Sequence, residues 1–390
     1  MNSKKISHIL NTLGEDRKNY FNAVSPPVIQ TSNFAFDTVQ VFRQAISSEI
    51  DNHLYSRGNN PTLAILRKKL AALSHAEDAL VFSSGTAAIC ASILANVKTG
   101  DHIICVEKPY SWAQKLFNNF LPRFGITTSY VDGRSIENFE KAIQENTKLI
   151  WLESPNSMTY ELQDLKAVSA LAKKHNLLTG IDNTYTTPLY QPVLTYGIDI
   201  SMHTITKYLN GHSDVVAGVV CSSKEIIQRI FDFEFMGIGA VLPPHDAAMV
   251  LRGLRTLPLR MKQIFNSTKI IFEYLKAHPK VEEVLFPFDP DFPQYELAKE
   301  QMLDAGGLLT IRVKASSKEA MEKFANSFNR FLMAVSWGGH ESLILPLIIL
   351  HDLNTDNEPA FPFNMMRLYI GLEDPEYLIE DLEQAFEQLG

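Results

Sequence analysis

Between residue 61 and about residue 255, helical patterns alternate with short apolar runs, and this alternation constrains the fold more than any other feature of the chain. Helices are expected near 62–73, 86–97, 111–120, 135–144 and 163–175. Strand-like runs fall at Ile103–Val106, Thr127–Val131, Leu149–Leu152, Leu177–Ile181 and Ile198–His203, with further apolar residues over Val215–Cys221. Strands that alternate with helices imply βαβ units and a mostly parallel sheet covered on both faces, the α/β class. Ligands of such sheets collect beyond the carboxyl ends of the strands.

A chain of 390 residues is too long for one ordinary core. Residues 1–60 read as an irregular arm, with Pro26-Pro27 and few periodic apolar positions, that gains order by lying on a neighbouring subunit. Residues 61–255 read as the large domain and 256–390 as a smaller α+β domain. In the latter, helices are expected near 258–278 and 317–328, and strands at Val281–Leu285, Leu308–Val313, Leu332–Ser336 and Arg367–Ile370. A closing amphipathic helix is expected from the N-cap Asp374, with Pro375 in its first turn and Leu378, Leu382, Ala385 and Leu389 on one face. The segment His351–Phe363 reads as a loop.

Composition narrows the classes of function. The net charge of −8 carries no footprint for nucleic acid or an anionic membrane. Cys90, Cys105 and Cys221 are far apart in apolar surroundings, which argues for a reducing compartment and against a disulfide scaffold. No Cys or His spacing matches a metal site. The first residues lack the apolar stretch of a signal peptide, and the longest apolar run, Leu343–Leu350, is broken by Pro346. A cytoplasmic protein is expected.

Chemistry concentrates at Lys207, which ends a short apolar segment within Thr204-Ile-Thr-Lys-Tyr-Leu-Asn-Gly-His-Ser-Asp214. An amine held there suits imine formation with an aldehyde cofactor, and pyridoxal 5'-phosphate (PLP) is the usual partner. That cofactor also needs a phosphate cradle, an anion for its ring nitrogen and a platform for its ring. Ser83-Ser84-Gly85-Thr86 follows the apolar run Ala79–Phe82 and opens a helix, which makes an anion site or an ordinary N-cap. Thr204 and Thr206 would face one side of an extended segment beside the phosphate. Asp182 ends a strand, where it can hold the ring nitrogen protonated or form an Asx-turn. Tyr110 follows a strand exit and can stack on the ring, or simply pack. Arg367 heads a strand and can bind a substrate carboxylate bidentately, or lie at an edge. His203 and His212 read as supports of the lysine loop, and Cys90 and Cys105 as core.

These motifs together resemble those of the Cys/Met-metabolism family of PLP enzymes. The resemblance runs through Pro26-Pro-Val-Ile-Gln-Thr31, Tyr55-Ser-Arg-Gly-Asn-Asn-Pro-Thr62, Phe82-Ser-Ser-Gly-Thr-Ala-Ala88, Asp182-Asn-Thr-Tyr-Thr-Thr-Pro188, the lysine segment, Ser336-Trp-Gly-Gly-His-Glu-Ser-Leu343 and Arg367-Leu-Tyr-Ile-Gly-Leu-Glu-Asp374. It implies PLP fold type I, with Lys207 joined to the cofactor and moving protons. Asp182 would pair with the ring nitrogen, Tyr110 would stack, and Ser84, Gly85, Thr86, Thr204 and Thr206 would surround the phosphate. Tyr55 and Arg57 would reach the phosphate of a second subunit, in a homodimer or homotetramer. Ser336, Arg367, Asn156 and Trp337 would contact a sulfur amino acid.

Within the family, Glu153-Ser-Pro-Asn-Ser-Met-Thr159 and Ser336-Trp-Gly-Gly look most like cystathionine β-lyases of trans-sulfuration and methionine biosynthesis. The expected reaction is therefore β-elimination, cleaving cystathionine or a related cysteine S-conjugate to thiol, pyruvate and ammonia. The alternative is γ-elimination or γ-replacement by the same residues, and a remote one is a PLP-fold binding module without catalysis. Two positions depart from the family pattern. Asn156 falls one place early, and Val335 stands where γ-specific members often carry Glu and some β-lyases Tyr.

Overall fold

The computed structural model describes residues 1–351 and 360–389. Residues 352–359 of the expected loop His351–Phe363 lie outside the described residues.

Among the described residues, seven strands form one sheet: β1 (Asp78–Phe82), β2 (His102–Val106), β3 (Thr127–Val131), β4 (Thr147–Glu153), β5 (Leu178–Asp182), β6 (Ile200–His203) and β7 (Gly218–Ser222), in the order β1-β7-β6-β5-β4-β2-β3. The neighbours from β6 to β3 pair in parallel, and β7 runs antiparallel to both β6 and β1. Six strands therefore point the same way, and β7 is the single reversed one. Parallel strands buried on both faces need continuous apolar runs rather than alternation. The burial of every residue of β2 and β6 agrees with that.

Helices cover both faces, and their starts are written locally. Asn60 caps Pro61–Leu73 through the amide of Thr62, and Ser84 caps Gly85–Leu94 through that of Ala87. Asp164 and Ser223 do the same for Leu165–Lys174 and Lys224–Ile230. The largest fully buried side chains of the sheet include Trp151 and Phe82, each contributing about 1.5–3 kcal/mol by leaving water. Trp151 needs Gly180 beneath it, since a Cβ there would stand 2.7 Å from its ring.

The second sheet contains β8 (Val281–Leu285), β9 (Leu308–Val313), β10 (Leu332–Met333), β11 (Leu343–Pro346) and β12 (Met365–Tyr369), in the order β10-β11-β12-β9-β8. Apart from the parallel β10–β11 pair, its neighbours are antiparallel. Asp374 caps the last helix, Pro375–Glu387, which buries Leu378, Leu382 and Ala385. Arg367 lies in the middle of β12, opposite Thr310 and Leu345, rather than at its head.

Two expectations change. A single 34-residue helix, Pro244–Ala277, replaces the expected start near 258 and passes through residue 255 without a break. Proline ordinarily ends a helix because it lacks an N–H and crowds the preceding turn. Here Val250, Leu251 and Leu254 before Pro258, and Met261, Ile264 and Phe265 after it, are all buried, and their packing carries the helix through. The first sixty residues also hold more structure than expected, with helices Ser3–Asn11 and Val39–Ile46. Ile9 and Leu10 join the main core of their own chain. Lys69, itself buried, donates to the carbonyls of Ile9 (2.8 Å) and Leu10 (3.0 Å) and pairs with Glu15 at 3.0 Å. A buried ion pair that leaves no orphan is retained, whereas breaking one costs several kcal/mol, roughly 3–5. The N-terminal helix is thus tied to its own chain, while Phe21, Val24 and Phe42 beyond it stay exposed.

Candidate active site

Because β1, β2, β4, β5 and β6 share one direction, their carboxyl ends form one edge. Each is followed by a residue singled out in the sequence: Ser84 after β1, Tyr110 after β2, Asn156 after β4, Lys207 after β6, and Asp182 as the last residue of β5. β7 enters that edge at Gly218, opposite Phe82. A Cβ on Gly218 would overlap the backbone of Ser84 and stand 2.7 Å from the Cα of Gly85. The glycine is what lets the β1 turn close over the sheet.

The amine of Lys207 donates to the hydroxyl of Ser336 and lies 5.4 Å from the ring centroid of Trp337. Burial pushes it down to about 8, helped by the positive charge of Arg367 and opposed by the carboxylate of Asp182. Ser336 stands in the left-handed region, with φ of 80°, and its carbonyl accepts from the Arg367 guanidinium at 3.1 Å. Gly338, with φ of 91°, packs directly on the lysine backbone, where a Cβ would stand 2.8 Å from the Lys207 Cα. Two segments remote in sequence therefore meet at the amine, and Arg367 joins them from β12.

Asp182 is buried, and its Oδ1 accepts from the backbone N–H (3.1 Å) and the hydroxyl of Thr184. Burial raises its pKa, and the positive charge of Lys207 opposes the rise. A cationic ring nitrogen beside it would favour the carboxylate further. The parallel register sets Glu153 of β4 directly against Asp182. Glu153 is buried as well, and accepts from the Tyr110 N–H at 2.6 Å and from the Ser157 hydroxyl. Burial and the neighbouring Asp182 charge raise its pKa. The sequence reading noted Glu153 only as part of a motif. The signal for its position was a carboxylate ending an otherwise apolar strand.

Burial also raises the pKa of the Tyr110 phenol, while the Thr86 hydroxyl beside it works the other way. At the start of Gly85–Leu94, a Cβ on Gly85 would overlap the Thr204 side chain, so only glycine leaves a cradle between them. The Ser84 hydroxyl accepts from the Ala87 N–H at 3.0 Å, so the N-cap alternative is realised. The expected extended run of Thr204 and Thr206 is a turn instead. There Thr204 N–H donates to the Thr184 hydroxyl at 2.9 Å, and the Thr206 hydroxyl exchanges hydrogen bonds with the backbone of Ala217 at 3.2 and 3.0 Å. Asn156 also turns inward. Its Oδ1 accepts from the Thr159 N–H (3.1 Å), the Thr159 hydroxyl (3.1 Å) and the Tyr160 N–H (2.8 Å), and its amide donates to Glu161. Asn156 thereby holds its own turn. Tyr55 and Arg57 are exposed and contact each other, with the guanidinium 5.1 Å from the tyrosine centroid. His203 is buried beside Ser201, and burial pushes it down to about 3, which keeps it neutral and supporting.

The donor set fits a phosphate-bearing aldehyde. A helix start with a glycine-only cradle, a buried carboxylate whose Oδ2 has no partner among the described residues, and an amine with a lowered pKa share one edge. No group of three or more metal-ligating side chains occurs among the described residues. No helix among them is long and apolar enough to cross a membrane.

Comparison with known proteins agrees. The chain is 38% identical to an L-methionine gamma-lyase of Treponema denticola over 382 residues, covering 95% of this chain and 94% of that protein. It is 36% identical to the cystathionine gamma-lyase of Homo sapiens over 379 residues, covering 96% and 91%. The solved structure of metB from Corynebacterium glutamicum superposes with a TM-score of 0.91 at 32% identity, covering 99% of this chain and 98% of that one. That likeness makes the fold PLP fold type I. The profile of the Cys/Met metabolism PLP-dependent enzymes matches residues 8–387, and the chain belongs to that family.

Proposed function

We propose that this PLP-dependent carbon–sulfur lyase acts by γ-elimination on a sulfur amino acid with an uncharged distal end, methionine being the simplest. The observation that carries the reading is the lowered-pKa amine of Lys207 held between Asp182 and Arg367. When bound, PLP supplies an aldehyde carbon for the amine and a cationic ring that accepts electrons from Cα. Lys207 would hold that aldehyde, Asp182 would accept from the ring nitrogen, and Tyr110 would lie against the ring. The helix start at Ser84, Gly85 and Thr86, with Thr204, would cradle the phosphate. Thr206, tied to Ala217, would brace that turn.

Arg367 would bind the substrate carboxylate through its guanidinium fork, aided by Ser336. It is buried, and no acidic partner for it occurs among the described residues. Lys207 would take the Cα proton and then move protons at Cβ. Tyr110, kept protonated by burial, would hand its proton to the departing sulfur. Balanced with one water, methionine would give methanethiol, 2-oxobutyrate and ammonia.

The choice of γ over the β-elimination expected from sequence rests on the similar proteins, named for γ-cleavage. Val335 precedes Ser336, is exposed, and brings no charge for the distal amino-acid head of cystathionine. The second reading, β-cleavage, rests on Trp337 beside the amine. Incubation of the reconstituted protein with methionine and with cystathionine separates them. Release of 2-oxobutyrate from methionine supports γ-elimination, and inert methionine with pyruvate from cystathionine would replace it by β-elimination.

We further propose that the site is shared between copies. Tyr55 and Arg57, exposed in one chain, would reach the phosphate of the other, with Phe21, Val24 and Phe42 covered in between. In this division residues 1–60 form the arm, 61–255 the cofactor unit and 256–390 the unit that brings Arg367. Sedimentation showing a dimer or tetramer, with activity lost on Arg57→Ala, is the expected outcome.

A further inference from the structure

Arg260 is a buried guanidinium that the chemistry above does not use. It sits on Pro244–Ala277 two residues past Pro258, and no acidic side chain pairs with it among the described residues. Three hydrogen bonds account for it instead. Nη1 donates to the Tyr208 carbonyl at 2.8 Å, Nη2 to the Gly253 carbonyl at 2.9 Å, and Nε to the Thr256 hydroxyl at 3.0 Å. Tyr208 is the residue after the amine-bearing lysine, so one arm of the fork holds the lysine loop and the other two groups hold the helix.

The loop is shaped to admit this contact. The Gly211 N–H donates to the Lys207 carbonyl at 2.8 Å, which folds residues 207–211 into a tight return. Gly211 has φ of 73°, and a Cβ on it would overlap the Arg260 guanidinium. Gly253, whose carbonyl Arg260 binds, must also be a glycine, because a Cβ there would overlap the Asn210 carbonyl. On the other side Gly338 lies on the Lys207 Cα. The lysine backbone is therefore clamped between the guanidinium and Gly338, while the amine itself is held only by the Ser336 hydroxyl and the Trp337 ring.

We propose that Arg260 is a positioning residue for Lys207, setting through the Tyr208 carbonyl and the Gly211 turn where the amine stands relative to Ser336 and Asp182. Burying an unpaired cation is costly unless it is hydrogen-bonded, and all three guanidinium nitrogens of Arg260 donate. A planar fork satisfies three acceptors at fixed angles, which an ammonium cannot. A mere helix–loop tie would be served by a smaller neutral donor. The proposal rests on Lys207 being the amine that carries the cofactor.

The test uses the full chain, with and without PLP. In Arg260→Lys, the amides of Asn210 and Gly211 exchange hydrogen at least tenfold faster than in the parent without cofactor, while the distant strand β9 keeps its protection. With cofactor, the visible imine band titrates at a shifted pH and kcat falls at least tenfold with KM within about threefold. Thr256→Val, which removes one acceptor without touching the loop, moves the same readouts in the same direction by a smaller factor. Parent-like exchange at 210 and 211 together with a parent-like imine titration in both variants overturns the proposal, whatever happens to overall stability. If Arg260→Lys does not fold, Thr256→Val alone decides by the same criterion. Lys207→Ala run in parallel separates the two failures: an imine band retained there overturns the reading of Lys207 and this proposal with it, whereas a band lost there with parent-like readouts in the Arg260 and Thr256 variants overturns this proposal alone.

Discussion

The amine of Lys207 and the hydroxyl of Ser336 touch although 129 positions separate them in the chain. Ser336 holds a left-handed backbone there, and its carbonyl is taken by Arg367. One contact thus links the turn after β6 to the middle of β12. Whatever moves the second sheet relative to the first moves the base relative to the group that binds the substrate carboxylate.

The pKa of Lys207 sets a pH dependence. Burial and Arg367 push it down to about 8, so the neutral, nucleophilic form predominates above pH 8 rather than above the ordinary lysine value. In cofactor-free protein, the rate at which this lysine is trapped by an aldehyde and borohydride should rise with pH, reach half its maximum at about 8 and level off about one unit higher. A rate still climbing to pH 10 would contradict the burial and charge argument.

Lys207→Ala should remove the visible imine band and reduce turnover by about 10³-fold or more, because nucleophile and base are lost together. Absorbance after reconstitution and single-turnover kinetics check it. The fold should persist, as the amine's contacts are the hydroxyl of Ser336 and the ring of Trp337.

Asp182→Asn should leave the amine able to form an imine yet lower kcat by about 10²-fold or more. That magnitude corresponds to the roughly 3–5 kcal/mol lost when one member of a buried charge pair is removed. The ring nitrogen would no longer be held protonated, so the spectrum of the bound cofactor should shift as well. An unchanged kcat would assign Asp182 to the alternative, a turn-forming Asx residue.

Arg367→Met should raise KM and lower kcat/KM by roughly 10- to 100-fold, from the 1.5–3 kcal/mol of a hydrogen bond to a charged group. Arg367→Lys should recover only part, since an ammonium keeps the charge and loses the fork. Steady-state kinetics with substrate and with its amide, which lacks the carboxylate charge, show whether the loss is specific to that group.

Gly85→Ala should weaken PLP binding and destabilise the protein by about 1–3 kcal/mol, the usual range for overpacking. The added Cβ would stand 2.9 Å from both Cβ and Cγ2 of Thr204. Cofactor titration and thermal unfolding without cofactor read the two effects separately.

What the sequence determined by itself was local. Apolar runs and caps marked β2, β3 and the last helix to within a residue or two, because spacing and capping act between residues a few positions apart. Strand order along one direction then put Asp182, Tyr110, Lys207 and the Ser84 turn at a common edge, so the candidate site was legible as a set of motifs. The tertiary structure decided which of those side chains are free to act. Asn156 is bound to its own turn, Thr206 to the backbone of Ala217, and Ser84 caps its helix. Glu153 faces Asp182 through the register of β4 and β5, and Arg260 reaches the lysine loop from a helix that packing drives through Pro258. The register contact spans 29 residues, the Arg260 contact 52 and the Lys207–Ser336 contact 129. For those three pairs no short window of sequence contains both partners, and their contact is set only when the two sheets and the long helix share a core.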